Sequence, residues 1–235
     1  MFSGSTVLLT GVGGEGQVGE AVAAAFGDLG ASLVLVDRTA AKVEARAAAL
    51  RQRDKPARGY ACDLTDPSSV AALAQTVHES HGPELHALVH MAGGFAMSGP
   101  VAETTVDVWN RQLAINLTTA FLTTRAFLPS IRRARGAIVL FASQAALPGA
   151  TGANMSAYTV AKTGVAALMR AIAAEERANG VRVNALAPTS IRTSANLSAM
   201  GPDVRYVERE QVASVVTFLC SPAASAISGE LVALS

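Results

Sequence analysis

The strongest constraint on this chain is an alternation of seven short apolar runs with segments of helical spacing. The runs are Thr6 to Thr10, Leu33 to Val36, Ala57 to Cys62, Leu85 to Met91, Ala137 to Ala142, Val181 to Leu186 and Leu231 to Leu234. Most are continuously apolar, the pattern of strands buried on both faces. After the first, Val18, Ala21, Val22, Ala25, Phe26 and Leu29 recur at helix spacing, and Gly30 closes the helix. Asp66-Pro67 opens a later helix, with proline in its first turn. Buried strands joined by helices predict an α/β fold, a doubly wound, mostly parallel sheet in three layers. No linker, repeat or low-complexity block divides residues 1–235, so a single domain is expected.

Composition narrows the function. Half of the 235 residues are hydrophobic and 16% are charged, enough apolar matter for a sizeable core. A net charge of +1 leaves no electrostatic footprint for nucleic acid or an anionic membrane, so neither is expected as a partner. Cys62 and Cys220 form neither a CxxC pair nor a zinc spacing, and no metal is expected. Both read as small core residues in a reducing compartment. The start of the chain has no basic segment followed by a long apolar one, and no stretch reaches membrane-spanning length without charge or glycine. A cytoplasmic location is expected.

The first run leads into Gly11-Val12-Gly13-Gly14-Glu15-Gly16-Gln17-Val18-Gly19, and a helix starts near its end. Glycines here permit positive φ and let backbone amides approach a pyrophosphate at the helix N-terminus. GxGxxG occurs in two registers, from Gly11 and from Gly14. Any loop this rich in glycine can match, and a flexible turn is the plain alternative. Its place between strand and helix raises it above that. Asp37 ends the second run, 18 residues past Gly19. A carboxylate there accepts hydrogen bonds from the adenosine ribose and repels a 2′-phosphate, which favours NAD over NADP. Arg38 beside it can hold a phosphate, so NADP stays open, and a simple turn role for Asp37 is the alternative to both. The loop and the acid make the expected fold a Rossmann-type, dinucleotide-binding one.

Tyr158-Thr159-Val160-Ala161-Lys162 sets a phenol and an ammonium on one helix face, beside a stripe of Ala161, Val165, Leu168, Met169 and Ile172. In isolation the pair is an amphipathic helix face. With its surroundings, the chain resembles the short-chain dehydrogenase/reductase family over nearly its whole length. The markers follow that family's order: Thr10-Gly11 with the glycine loop, Asp37, Asp63-Leu64, Ala92-Gly93, Asn116, Ser143, Tyr158 with Lys162, Arg182-Val183-Asn184-Ala185, and Pro188 through Thr193.

The resemblance implies hydride transfer between a nicotinamide cofactor and a small carbonyl or alcohol substrate. It makes Tyr158 the group that exchanges the proton at the substrate oxygen. Lys162 would favour the phenolate and bind the nicotinamide ribose. Ser143 would orient the substrate oxygen, and Asn116 would tie Lys162 into a water-linked proton path. A free phenol titrates near ~10, and a neighbouring ammonium is expected to lower that value. Cofactor contacts are implied for Gly11, Gly13, Gly16, Val18 and Gly19 in the loop, Asp37 and Arg38 at the ribose, and Asp63 and Leu64 at adenine. Ala92 and Gly93 after the fourth run, and Pro188, Ile191 and Thr193 near the nicotinamide amide, complete the set. NAD is the expected cofactor, NADP the alternative, and a homotetramer or homodimer the expected assembly.

Four departures from the family pattern stand out. Glu15 and Gln17 fall where counting from Gly11 expects glycine, and aligning Gly19 instead requires about two inserted residues. The usual Asn-Ala-Gly reads Met91-Ala92-Gly93, with Met91 expected in the core. Ser143 precedes Tyr158 by 15 residues, a longer spacing than is common. The segment from Ser194 to Arg209 is short for a substrate flap, so the pocket is expected to be open, or small and rigid. The Ala-Gly-Gly-Phe and Ala-Ala-Leu segments are similar to dihydropteridine reductases, a group without the serine that Ser143 supplies.

Other residues have plain readings. His78 and His81 lack a third metal ligand and read as solvated surface. His90 reads as a packed strand-end histidine close to the cofactor. Trp109 and Phe121 suit burial or a subunit contact, and Arg132, Arg133 and Arg135 offset a helix dipole. A methyltransferase shares the loop and the acid but has no use for Tyr158 and Lys162. A non-catalytic dinucleotide-binding protein on the same fold remains the other alternative.

Overall fold

The computed structural model describes residues 1–235. The seven strands are β1 Thr6–Thr10, β2 Ser32–Asp37, β3 Ala57–Ala61, β4 Ala87–His90, β5 Ala137–Phe141, β6 Arg182–Pro188 and β7 Leu231–Leu234. They form one parallel sheet in the order β3-β2-β1-β4-β5-β6-β7. Helices α1 Val18–Asp28, α2 Ala40–Arg51 and α8 Arg209–Cys220 cover one face, and α3 Pro67–His81, α5 Thr119–Ala134 and α6 Ser156–Glu176 the other. Val7 and Leu9 of β1 enter the first core and Leu8 the second, so the continuous apolar run is explained by burial on both faces. This is the Rossmann-type, three-layer arrangement that the alternation predicts.

The chain winds outward from β1 to β3, then returns across the sheet to β4, and the β1/β4 boundary is the switch point. Crevices open outside the carboxyl ends of strands at such points. Asp66 caps α3 through the amides of Ser68 and Ser69, at 3.1 and 3.0 Å.

The helical stretch that begins at Val106 is interrupted. Helix α4 Val106–Leu113 runs through a π-helical turn, Ala114–Thr118, into α5. The turn holds Asn116. The predicted strand Leu85 to Met91 is shorter in the structure, because beyond His90 the backbone leaves the sheet to enter the crevice.

Candidate active site

At the switch point, Gly11 leaves β1 with φ +73°, and a Cβ there would stand 2.8 Å from the Ala92 amide nitrogen. The turn after β1 and the segment after β4 therefore meet backbone to backbone. A Cβ on Gly19 would stand 2.5 Å from the Gly11 carbonyl oxygen, so Gly19 is the glycine that packs α1 onto the loop. Glu15 is exposed and points its charge at solvent.

A cluster of charged residues from three helices supports this loop. The Gly16 amide donates to Glu20 Oε2 at 2.8 Å. Glu20 also pairs with Arg46 of α2 and, at 3.3 Å, with Arg209 of α8. Arg46 reaches the carbonyls of Val12 and Gly14 at 3.4 Å. Burial raises the Glu20 carboxyl, but the Gly16 amide and the two arginines together leave its pKa lowered.

Beyond the loop, a cleft of about 290 Å³ is lined by Asp37, Arg38, Asp63, Leu64, Ala92 and Gly93 among others. Asp37 Oδ2 accepts the Gly13 amide at 2.9 Å, and Oδ1 the Thr39 amide at 3.2 Å. A Cβ on Gly13 would touch the Asp37 carboxyl at 2.8 Å. Asp63 Oδ1 accepts both the hydroxyl and the amide of Thr65, at 2.6 and 2.9 Å. These bonds hold its carboxyl below the ordinary range, and the Arg38 charge adds to the effect. Leu64 is buried and Val18 half-buried at the start of α1.

A buried chain of polar groups ties the segment after β4, where Met91 stands in place of the usual asparagine, to the end of β1. The amides of Met91 and Ala92 both donate to Thr10 Oγ1 at 3.2 Å. Thr10 Oγ1 lies 3.1 Å from His90 Nδ1, and His90 Nε2 lies 3.2 Å from Thr119 Oγ1. Thr119 donates to the Ile115 carbonyl, freed by the π turn, at 2.9 Å. With the proton on Nε2, every donor in this chain finds an acceptor. Burial, with the Lys162 charge adding to it, lowers the His90 pKa to about 3, so the ring is neutral. Met91 packs against the core as expected.

The adjoining cleft, about 250 Å³, holds Tyr158 and Ser143. Ser143 leaves the end of β5 and accepts the Ala145 amide at 3.2 Å, capping a short turn. Burial raises the Tyr158 phenol above its ordinary value, and the Ser143 hydroxyl partly offsets this. Lys162, one turn along α6, is buried, and its ammonium donates to the Phe141 carbonyl at 2.7 Å. Its Nζ lies 5.8 Å from the centre of the Tyr158 ring. Burial without a counter-charge lowers the Lys162 pKa to about 8. The lowering of the phenol expected from the ammonium is thus absent in this state, because desolvation dominates both groups.

Asn116 clasps the strand-four segment with both ends of its amide. Its Nδ2 donates to the Gly94 carbonyl at 2.9 Å, and its Oδ1 accepts the Gly94 amide at 3.1 Å. A Cβ on Gly93 would lie 2.6 Å from Asn116 Oδ1 and 3.4 Å from Lys162 Nζ, which sets these groups around one glycine. On the far wall, Pro188 ends β6, Ile191 bridges Val207, and buried Thr193 caps α7, Ser194–Met200.

The flap after Thr193 is short and tied down. The Tyr206 hydroxyl donates to the carbonyls of Asn196 and Gly201 at 3.2 and 2.7 Å. Arg182 and Asn184 serve structure: Arg182 donates to the Leu219, Ser221 and Ala224 carbonyls, and Asn184 bonds the backbone of Ile227 and Glu230. Arg132 pairs with buried Glu176, and His81 bonds Tyr60. No group of three or more metal-ligating side chains occurs, and no helix is long and apolar enough to cross a membrane.

The sheet order and the paired clefts at its switch point define a protein of the Rossmann class. A family described as enoyl-(acyl carrier protein) reductase matches residues 11–234. The chain is 35% identical to D-threitol dehydrogenase of Mycolicibacterium smegmatis, covering 97% of this chain and 90% of that one. It is 36% identical to cis-4-hydroxycyclohexanecarboxylate dehydrogenase of Sinomonas cyclohexanicum, covering 99% and 96%. Among solved structures it superposes on NAD+-bound xylitol dehydrogenase with a TM-score of 0.89 at 27% identity, covering 99% and 98%. The chain belongs to the short-chain dehydrogenase/reductase family.

Proposed function

We propose that this oxidoreductase interconverts an alcohol and a carbonyl compound with NAD(H), using Tyr158 as its general acid and base. The observation that carries the reading is a cleft lined by Tyr158 and Ser143, with the Lys162 ammonium one turn along α6 and 5.8 Å from the centre of the Tyr158 ring. The residues present fit a dinucleotide. The glycine loop sits at the N-terminus of α1, where amides and helix dipole favour a pyrophosphate. Gly11 and Gly13 leave no side chain between the loop and its neighbours, and Asp37 keeps lone pairs free for ribose hydroxyls. Pro188, Ile191 and Thr193 form the wall suited to the nicotinamide amide. When bound, the cofactor accepts the hydride that leaves the carbinol carbon, or returns it to the carbonyl.

The remaining work falls to the chain. Tyr158 takes the hydroxyl proton as the alcohol is oxidised and returns it in reduction. Ser143 donates its hydroxyl hydrogen to the substrate oxygen and holds it beside the phenol. Lys162, cationic below about 8, favours the phenolate and offers an ammonium to the cofactor ribose. Asn116 positions the Gly93-Gly94 backbone and the π turn around that ammonium. Ser143 at the cleft sets this reading above a dihydropteridine-reductase type.

Tyr158→Phe is the test. It removes one oxygen and is expected to keep the fold and NADH binding, read by nucleotide fluorescence. It is expected to cut kcat by at least ~10²-fold. Turnover close to wild type, with the fold intact, would overturn the assignment and put the non-catalytic reading first.

A further inference from the structure

We propose that the substrate is a compact, uncharged secondary alcohol or ketone with an apolar body, and that Phe95 is the residue that selects it. The inference rests on the reading above, in which the Tyr158 cleft holds the reacting oxygen. Three observations carry it. First, no side chain lining the cleft is charged. Arg192, on the nearby flap, is committed elsewhere: it bonds Glu208 at 2.7 Å and stacks on Tyr206 at 4.9 Å. Lys162 does not line the cleft, and its buried ammonium donates to the Phe141 carbonyl. A carboxylate, phosphate or sulfonate on the substrate would enter without a counter-charge.

Second, the ring of Phe95 stands edge-on to Tyr158, with centroids 5.0 Å apart at 88°, yet is 60% exposed. Met200, across the same cleft, is 43% exposed. Large apolar side chains left open beside a reactive group mark a surface to be covered by ligand. Third, the Phe95 segment is held in place. The amides of Ser98 and Gly99 donate to the Asn154 carbonyl at 2.8 and 3.1 Å, tying it to the loop before α6. The aromatic wall is therefore formed before substrate arrives, at little ordering cost.

A ring or short alkyl body fits against Phe95 and Met200 while its oxygen meets Tyr158 and Ser143. A sugar alcohol would press some of its hydroxyls onto Phe95 and Met200, where they lose water without gaining partners, and only Gln144, Thr189, Ser190 and Asn196 could receive the rest. The inferred substrate thus differs from those for which the polyol-dehydrogenase relatives are named.

The experiment compares kcat/KM for cyclohexanol, xylitol and cis-4-hydroxycyclohexanecarboxylate with NAD+, in wild type and Phe95→Ala. Cyclohexanol is expected to exceed the other two by at least about tenfold, the scale of one lost polar or apolar complement. Phe95→Ala is expected to raise the KM for cyclohexanol about tenfold and to lower kcat less. A preference for xylitol or the carboxylated ring, abolished by Tyr158→Phe, would sink the substrate class and leave the catalytic reading standing. An unchanged KM in Phe95→Ala would remove Phe95 as the selector. If no alcohol is oxidised, titration of the NADH complex with cyclohexanone decides. Phe95-dependent binding then supports the class while the catalytic reading fails, and absence of binding overturns the class as well.

Discussion

Asp37 accepts two backbone amides, which fix its carboxylate in place at the lining of the cleft. Arg38 is exposed, and its charge acts on Asp63, a carboxylate already on this cleft. On the NAD reading proposed above, that environment is expected to disfavour a 2′-phosphate. Asp37→Asn keeps an acceptor for the amides and removes the charge. It is expected to raise kcat/KM for NADPH relative to NADH by roughly tenfold, about 1.4 kcal/mol of relieved repulsion. A wild-type preference for NADPH would overturn the choice of NAD.

His90 makes a different kind of test. In the unfolded chain it takes a proton near its ordinary 6.5, and in the fold only near 3. Between those values the unfolded chain binds the extra proton, so stability falls as pH drops from 6.5 to 3, by roughly 1.4 kcal/mol per unit. Denaturant unfolding from pH 7 to 4 is expected to show this slope, and His90→Asn to flatten it. An equal slope in the variant would mean that His90 is not the group responsible. Tyr158 and Lys162 were legible as a pair because the i, i+4 relation is local. The direction of the Lys162 ammonium was not, since it depends on where β5 puts the Phe141 carbonyl, 21 residues away. The Glu20 cluster was hidden for the same reason, as Arg209 is 189 residues distant.

At the scale of elements, the strand-helix alternation is local chemistry, and it reads well wherever runs are long and apolar. The π turn at Ala114–Thr118 does not read at all, and Asn116 within it bonds Gly94, 22 residues away. The glycine loop shows the same limit. Its extra residues carry the loop to α7. The Ser194 amide donates to the Gly16 carbonyl at 3.1 Å, and its hydroxyl donates to the Glu15 carbonyl at 3.1 Å. Gln17 Nε2 donates to that hydroxyl at 2.8 Å. A Cβ on Gly16, with φ +66°, would strike the hydroxyl at 2.8 Å. Loop and flap are therefore tied to each other. Ser194→Ala removes both hydroxyl bonds and is expected to speed NADH release about fivefold, the weight of roughly one hydrogen bond. Stopped-flow displacement of bound NADH reads this directly, and an unchanged release rate would show that the contact does not gate the cofactor.

For the whole molecule, the seven-stranded sheet and its paired cores account for most of the buried apolar side chains. What they leave over points outward. Helices α5 and α6 pack beside each other on one face and bury their inner stripes, including Phe127, Ile131, Val165 and Met169. Their outer surfaces still present Phe121, 45% exposed, and Val160, 46% exposed. Large apolar groups on adjacent long helices suit an isologous interface, in which the same patch meets its own copy about a twofold axis. The chain is therefore expected to run in light scattering at two or four times its 24.0 kDa mass. Phe121→Glu and Val160→Glu would each place a charge where the two copies meet, without entering either core. Each is expected to shift the population toward the single-chain mass while leaving the circular dichroism of the fold unchanged. A wild-type chain that stays at 24.0 kDa at micromolar concentration would refute the assembly. Variants that remain oligomeric would move the interface to another face.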